Sequence, residues 1–412
     1  MPFRIALSGL NAASADLKTT GNNIANAGTT GFKSSRAEFV DIFAVSFGGV
    51  ADTATGGGVR LAKVAQQFSQ GNIDFTDNSL DMAISGQGFF LLDDNGTRFM
   101  SRAGAFSIDR DGFVVNNQGL RLQVFPATTA SGSTVFDTGR LTDLQLSTSE
   151  GAPNPTSLMT AVLNLDASDT LPTAPFDIAN PLPDQYNAST SLTVYDSLGS
   201  QHTATQYFVK TGANAWQSYM YIDNTLVTSG GANAATLTFN PDGTLATPVN
   251  GQVTFDPYVP STGANSISVV VDYNQATQYG SPFSVSTLQQ DGFAAGRLSG
   301  IEVDSEGVVS ARFTNGQSQV LGKVALGNVA NPQGLSPQGD TIWGQTFAAG
   351  DLLLGEANTS SFGLIQAGAL EASNVDIAAQ LVNLITAQRN FQANAEVIST
   401  ADTVTQTIIN IR

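Results

Sequence analysis

The sequence contains no cysteine, which excludes disulfides, thiolate metal sites and thiol catalysis. It has one histidine, His202, so no metal cluster built on several histidines can form. Charge is scarce as well. Asp, Glu, Lys and Arg make up 12% of 412 residues, about half the share usual in soluble domains. What charge there is leans acidic, with 17 basic against 34 acidic side chains and a formal net charge of −17. Neutralising phosphates needs a surplus of Lys and Arg, so a nucleic-acid partner is not expected. The sequence also lacks an apolar run of about 18 residues, so no membrane insertion is expected. The start, Met1-Pro-Phe-Arg-Ile-Ala-Leu-Ser, has no continuous apolar stretch of the kind a cleaved secretory signal carries. A protein with this start that works outside the cell leaves by another route.

What is present is concentrated at the two ends. Phe3, Leu10, Leu17 and Ile24 recur every seventh residue, and Ala6, Ala13, Thr20 and Ala27 follow three residues behind each. Large and small residues alternating along one seam let helices approach closely. Near the other end Ile377, Leu381, Leu384, Gln388, Phe391, Ala395 and Ile398 step by four and three. The stripe then shifts to Ala401, Val404, Ile408 and Ile411, a change that locally alters a supercoil. Asn11, Asn22, Asn23, Asn26, Gln380, Asn383, Gln388, Asn390, Gln392 and Asn394 crowd both segments. Amides tolerate burial against neighbours at lower cost than ions do. The pattern predicts two terminal helices that pair as a coiled coil and bury their faces in further copies. The packing residues expected are Phe3, Leu10, Leu17, Ile24, Leu381, Leu384, Phe391, Ile398, Val404 and Ile408.

Between the ends the sequence reads as β-structure. Asn95-Gly96, Asp111-Gly112, Asp242-Gly243, Glu306-Gly307 and Asn315-Gly316 each separate apolar runs, the signal of tight hairpins. Ile108-Asp-Arg-Asp-Gly-Phe-Val114 and Val303-Asp-Ser-Glu-Gly-Val-Val309 resemble each other on opposite sides of the middle, so one domain is expected to draw on both flanks. The insertion is bounded by a Ser/Gly/Pro-rich stretch at Ser147–Pro155 and a proline-rich one at Pro172–Pro183, and the flank resumes near Ser281. The expected class is α+β with nested, discontinuous domains. Residues 1–30 with 366–412 form the helical domain, and 31–70 with 350–365 a connecting region. Residues 71–146 with 281–349 form an inner β-domain, and 147–280 an inserted outer β-domain. Gly28 to Gly58 reads as loop.

No constellation for chemistry stands out. His202, in Gly199-Ser-Gln-His-Thr, has no carboxylate beside it in sequence to orient it and reads as an ordinary surface or packing residue. Asp109/Asp111 and Asp304/Glu306 resemble fragments of a calcium loop but lack its closing glutamate, so they read as hairpin turns. Gly86-Gln-Gly88 lacks the third glycine of a phosphate-binding turn, and Gly28-Thr-Thr-Gly31-Phe-Lys33 has the wrong spacing for a P-loop. No catalytic, cofactor or metal residues are assigned, and no enzyme activity is expected.

Several long motifs resemble one family. Ala6-Leu-Ser-Gly-Leu-Asn-Ala-Ala-Ser-Ala-Asp-Leu17 with Asn22-Asn-Ile-Ala-Asn-Ala-Gly-Thr-Thr-Gly-Phe-Lys33 is similar to the N-terminal signature of bacterial flagellar rod and hook proteins. Leu80-Asp-Met-Ala-Ile-Ser-Gly-Gln-Gly-Phe-Phe90 and Ser101-Arg-Ala-Gly-Ala-Phe106 resemble the family's inner β-domain. Gly368-Ala-Leu-Glu-Ala-Ser-Asn-Val-Asp376 and Ala387-Gln-Arg-Asn-Phe-Gln-Ala-Asn394 resemble its C-terminus. Thr193-Val-Tyr-Asp-Ser-Leu-Gly199, Tyr207-Phe-Val-Lys-Thr211 and Trp216 resemble the outer domain that separates hook from distal-rod members. The resemblance implies a hook-type subunit with no cofactor, forming a helical homopolymer outside the cell, a curved joint between rod and filament. Its partners would be further copies of itself, the distal rod protein, the hook-cap protein, the hook–filament junction proteins and the flagellar type III export apparatus. A distal rod subunit is the alternative, and a secreted β-rich adhesin or enzyme the reading from another class. The Gly-rich stretch at 44–58 has a longer counterpart in distal-rod members, where it is linked to rigidity.

Overall fold

The computed structural model describes residues 2–42, 56–130, 133–146, 150–359 and 361–410. Two helices flank a β-rich body. Helix α1 spans Pro2–Ala25 and helix α2 spans Ile377–Asn410. Asp376 caps α2: its Oδ1 accepts from the amides of Ala378 at 2.9 Å and Ala379 at 3.1 Å, satisfying donors that the first turn cannot pair itself. The two helices lie against each other. Asn23 Nδ2 donates to Gln380 Oε1 at 3.2 Å, while Gly9 sits so close to Asn394 that an added Cβ would overlap its amide. These contacts have equal sequence separation on the two helices and run in opposite order, so the pair is antiparallel. The Thr386, Thr403, Thr405 and Thr407 hydroxyls bond carbonyls four residues back, so they are satisfied within α2.

The chain divides into two compact units. The first holds residues 1–146, 300–312 and 318–412. Its main sheet is organised on the long strand Ser318–Val329, which pairs with Arg121–Ala130, Phe89–Asp94 and Leu352–Glu356. The run Phe89-Phe-Leu-Leu92 is apolar without alternation because both faces of that strand are covered. Phe90 and Leu92 enter a core with Met82, Val124 and Leu326, while Phe89 and Leu91 enter another with Met100, Phe125 and Trp343. Two short ladders tie the chain's flanks together: Met82–Ser85 with Leu364–Ala367, and Ile73–Phe75 with Ala369–Glu371. The segment 350–365, expected as a connector, therefore contributes ladder strands to this unit. Ser35–Asp41 pairs antiparallel with Val59–Gln66, so part of the stretch read as loop is a hairpin. Phe43, Phe47 and most of the Gly-rich stretch fall in 43–55, outside the described residues.

The second unit holds residues 147–299 and 313–317. One sheet is centred on Leu158–Asp166, with Val270–Asp272 and Thr277–Tyr279 parallel to it and Ser284–Gln290 antiparallel. The other runs through Ala188–Tyr195, Gln201–Gly212, Ala215–Ile222 and Ala235–Phe239. Leu163, Leu165 and Val271 from the first sheet share a core with Phe208, Trp216, Met220 and Leu237 from the second. Trp216 Nε1 donates to Gln278 Oε1 at 3.2 Å, and Ser218 Oγ lies 3.0 Å from the Tyr273 hydroxyl, so these polar atoms are paired across the sheets, while the buried Gln206 amide has no hydrogen-bond partner among the described residues. The opposite face of the second sheet is covered as well: Phe176, from the proline-rich segment, stacks on Tyr219 at 4.0 Å. The chain returns to the first unit at Gly300 rather than near Ser281. The reason is the pairing of Ser284–Gln290 with Leu158–Asp166.

The hairpin turns share one device. Asp109 Oδ1 accepts from the amides of Asp111 and Phe113, and Asp304 Oδ1 from those of Glu306 and Val308. Gly112 and Gly307 take positive φ, at 86° and 81°, where a side chain would be strained. The acidic residues that resemble calcium-loop fragments hold their own backbone instead.

Candidate functional site

The N-terminal arm, the inner β-motifs and the C-terminal arm converge on one buried ion cluster. After α1 the chain turns through Asn26–Thr29 and reaches Gly31 at φ 68°. A Cβ at Gly31 would overlap the backbone of Arg102 and Ala103, and its amide donates to Glu371 O at 2.7 Å. Lys33 follows. Its Nζ lies 2.6 Å from Glu371 Oε1, with both side chains fully shielded from solvent, and also donates to Ser69 O at 2.8 Å. Arg102 Nη1 lies 3.3 Å from Glu371 Oε2, its Nη2 donates to Gly86 O at 2.8 Å, and its guanidinium stands 5.3 Å from the Phe89 ring centre. The Gly71 amide completes the shell of Glu371 Oε1 at 2.9 Å.

Two cations thus share one carboxylate, and backbone carbonyls take further donors of both, while Arg102 Nε has no partner among the described residues. Burial pushes the pKa of Lys33 down, opposed by its bond and charge pairing with Glu371. Burial also pushes Arg102 down, against the pull of Glu371. Desolvating three charges is costly, so the cluster's value is geometric: the seat fits only when all three segments are present.

Amides extend the junction to the helices. Asn374 Oδ1 accepts from the Ser34 amide at 2.7 Å, and its Nδ2 donates to Gln67 O at 2.7 Å and Ser69 Oγ at 2.9 Å. Asn23 brackets Ser35, accepting from its amide at 2.8 Å and donating to its carbonyl at 2.7 Å, while also bonding Gln380. Phe68, Phe89 and Trp343 form an aromatic triangle with ring centres 5.6–5.8 Å apart, and Trp343 Nε1 donates to Gln66 Oε1 at 2.6 Å. The sequence motifs contain Lys33, Arg102 and Glu371, but their meeting is not readable from spacing.

The expected packing residues divide into two sets. Leu10, Leu17, Ile24, Leu384, Phe391 and Ile398 are half-buried within the single chain. Phe3, Leu381 and Val404 are exposed, at 40%, 46% and 53%. The side chain of Ile408 lies outside the described residues. The α1 positions most buried are small or polar: Ala6, Ala13, Thr20 and Asn23. On α2, Ala387 is fully buried, and Gln380, Leu384, Phe391, Asn394 and Ile398 share its side. Ile377, Leu381, Val382, Ile385, Val397 and Val404 form a second apolar set left open.

His202 corrects the sequence reading. Its Nδ1 lies 2.5 Å from Asp223 Oδ2 and its Nε2 3.2 Å from Asp196 Oδ2, so folding supplies the two carboxylates that the local sequence does not. Among the described residues no group of His, Asp or Glu could hold a metal ion, and no helix is long and apolar enough to cross a membrane.

Paired terminal helices on a β-rich body, with an ion cluster joining the ends, define an axial structural subunit. Comparison with known proteins gives the family. Residues 3–33 match the flagella basal body rod protein family, 83–151 the flagellar hook protein FlgE/F/G D1 domain, 164–293 the flagellar basal body protein FlaE D2 domain, and 366–411 the flagellar basal body rod FlgEFG protein C-terminal family. The chain is 40% identical to the flagellar hook protein FlgE of Escherichia coli strain K12 and 39% identical to that of Salmonella typhimurium, covering 100% of both chains in each case. The crystal structure of Helicobacter pylori flagellar hook protein FlgE2 shares the fold, with a TM-score of 0.52 at 13% identity, covering 73% of this chain and all of the other. The chain belongs to the flagellar hook protein family. It is a structural subunit of the hook, and so part of the flagellum at the cell surface.

Proposed function

We propose that the chain polymerises into a curved extracellular tube that acts as a universal joint, carrying torque from rod to filament. The observation that carries this reading is the apolar set on α2 that stays exposed among the described residues, apart from the half-buried side that carries Ala387. A helix with two apolar sides needs a second surface to cover it. In this reading 1–30 with 366–412 pair as a coiled coil lining the tube, and the segment 31–70 couples them to the β-body, which takes in 71–146, 300–312 and 318–365. The inserted unit, 147–280 in the sequence reading, forms the outer layer. Phe3, Leu10, Leu17, Ile24, Leu381, Leu384, Phe391, Ile398, Val404 and Ile408 are the packing residues. The role is structural rather than enzymatic. Distal rod, cap, junction and export proteins are the partners.

Bending requires outer contacts that lengthen and shorten while the core stays joined. The isolated bridges Gly151–Gly296 and Asn154–Phe293 bring the ends of the inserted unit together, so a short Gly-Ser linker can replace residues 150–297. Electron microscopy of that variant is expected to show tubes that are straight or lack regular coiling. Tubes that supercoil normally would sink the sliding-layer account. A rod subunit instead would give straight tubes from the full chain.

A further inference from the structure

The chain's one histidine lies buried in the inserted unit between two carboxylates, Asp223 on Nδ1 and Asp196 on Nε2. Ionised carboxylates only accept hydrogen bonds, and a neutral imidazole has a single N–H. Both contacts are satisfied together only by the imidazolium. The titratable groups facing the ring among the described residues are Asp196, Asp223 and Tyr258, whose ring centre is 6.1 Å away.

Asp196 is itself the anchor of a turn. It accepts from Thr262 Oγ1 at 2.7 Å and from the amides of Leu198 at 2.9 Å and Ser200 at 2.8 Å. Ser197 Oγ accepts from the Asn265 amide at 2.9 Å. The turn's apex, Gly199 at φ 82°, sits against Pro153 and the backbone of Ala294 and Ala295. Those residues belong to the two root segments by which the chain enters and leaves this unit, bridged at Gly151–Gly296 and Asn154–Phe293. On the other side Asp223 Oδ1 accepts from the Thr203 amide at 3.0 Å.

We propose that the His202 imidazolium, held between Asp196 and Asp223, is a pH-sensitive clamp fixing the Asp196–Ser200 turn against the bridged root segments of the inserted unit, and that losing its proton loosens that root. Burial pushes the His202 pKa down, but the bonds from Asp223 and Asp196 outweigh it and leave the group above its ordinary value. A raised histidine gives stability that is full below its unfolded pKa and fades as pH rises through the folded one. Acid opens the clamp from the other direction, through the two carboxylates.

Because there is one histidine, its ring gives one set of imidazole signals. The experiment is long-range ¹H–¹⁵N NMR of the full chain, kept dilute and unpolymerised, across pH 5 to 10. Alongside it, hydrogen exchange is read at the Leu198, Ser200, Asn154 and Phe293 amides and corrected for intrinsic rates. The expected result is an imidazolium at pH 7, a midpoint above the ordinary value of about 6.5, and protection at those amides that falls several-fold past it. His202→Gln is expected to remove the pH dependence, and Asp223→Asn to lower the midpoint. A single neutral tautomer at pH 7, or protection that stays flat through the midpoint in the wild type, overturns the proposal without needing either variant to fold.

Discussion

Lys33 and Glu371 stand 338 residues apart in sequence and meet at 2.6 Å with neither side chain open to water. Arg102 joins them from the β-body. The subunit's two ends are thus locked to one another and to the same β-motif before any second copy arrives. For a part that must carry tension and torque, this is where force entering the terminal helices passes into the β-structure.

Removing the shared charge tests the lock. Glu371→Gln leaves Lys33 and Arg102 buried without a counter-ion, which costs on the order of 3–5 kcal/mol. The two tryptophans report separately, since Trp343 lies in the first unit and Trp216 in the second. The Trp343 unfolding transition is expected to move to lower denaturant while that of Trp216 stays. An unmoved Trp343 transition would show that the cluster is dispensable.

Glycine substitutions separate close approach from simple helix propensity. Gly31→Ala combines φ 68° with overlap on the Arg102–Ala103 backbone and is expected to unseat Lys33, with a loss comparable to that of Glu371→Gln. Gly21, inside α1, has nothing within 4 Å of an added Cβ. Gly21→Ala is expected to raise helix stability by about 0.5–1 kcal/mol. Circular dichroism melts of the two variants read the contrast, and equal effects would contradict it.

The two sets on the helices make different predictions. Leu17→Asp and Phe391→Asp place a carboxylate on the half-buried sides of α1 and α2 and are expected to unpair the helices, at several kcal/mol. Leu381→Asp and Val404→Asp face outward in the single chain and are expected to leave the monomer's helicity unchanged yet block polymerisation. Helicity by circular dichroism and polymer by sedimentation distinguish them. Normal polymer from Leu381→Asp would remove that residue from the inter-subunit contact.

Acid stability of the second unit has its own signature. Burial pushes the Asp196 carboxyl up, but the Thr262 hydroxyl, the Ser200 amide, His202 and the Leu198 amide together hold it at about 2. A depressed carboxylate contributes stability above its unfolded pKa and loses it as pH falls through the folded one. The Trp216 transition is expected to weaken between about pH 4 and 2, and Asp196→Asn to flatten that fall. An identical acid profile in the variant would contradict this assignment.

Much of this plan was legible because it rests on local periodicity. The seven-residue repeat of α1, the four-three steps of α2 and the Asp-Gly turns each state their structure within a few residues. What escaped reading was set by long-range pairing. Ser284–Gln290 is short and polar enough to belong to either unit, and its partner, Leu158–Asp166, decides. The hairpin at Ser35–Asp41 did carry alternation, with Arg36 and Glu38 on one face and Ala37 and Phe39 on the other, but glycine-rich flanks obscured it. His202 looked isolated because Asp223 comes to it from the neighbouring strand's turn. The Lys33–Arg102–Glu371 cluster uses residues whose motifs were visible while their convergence was not.

Negative-stain electron microscopy of the purified full chain, concentrated to polymerise, tests the central claim most directly. The account predicts hollow tubes that curve and coil without other components. Straight, rigid tubes would contradict the joint and point to a rod-like part.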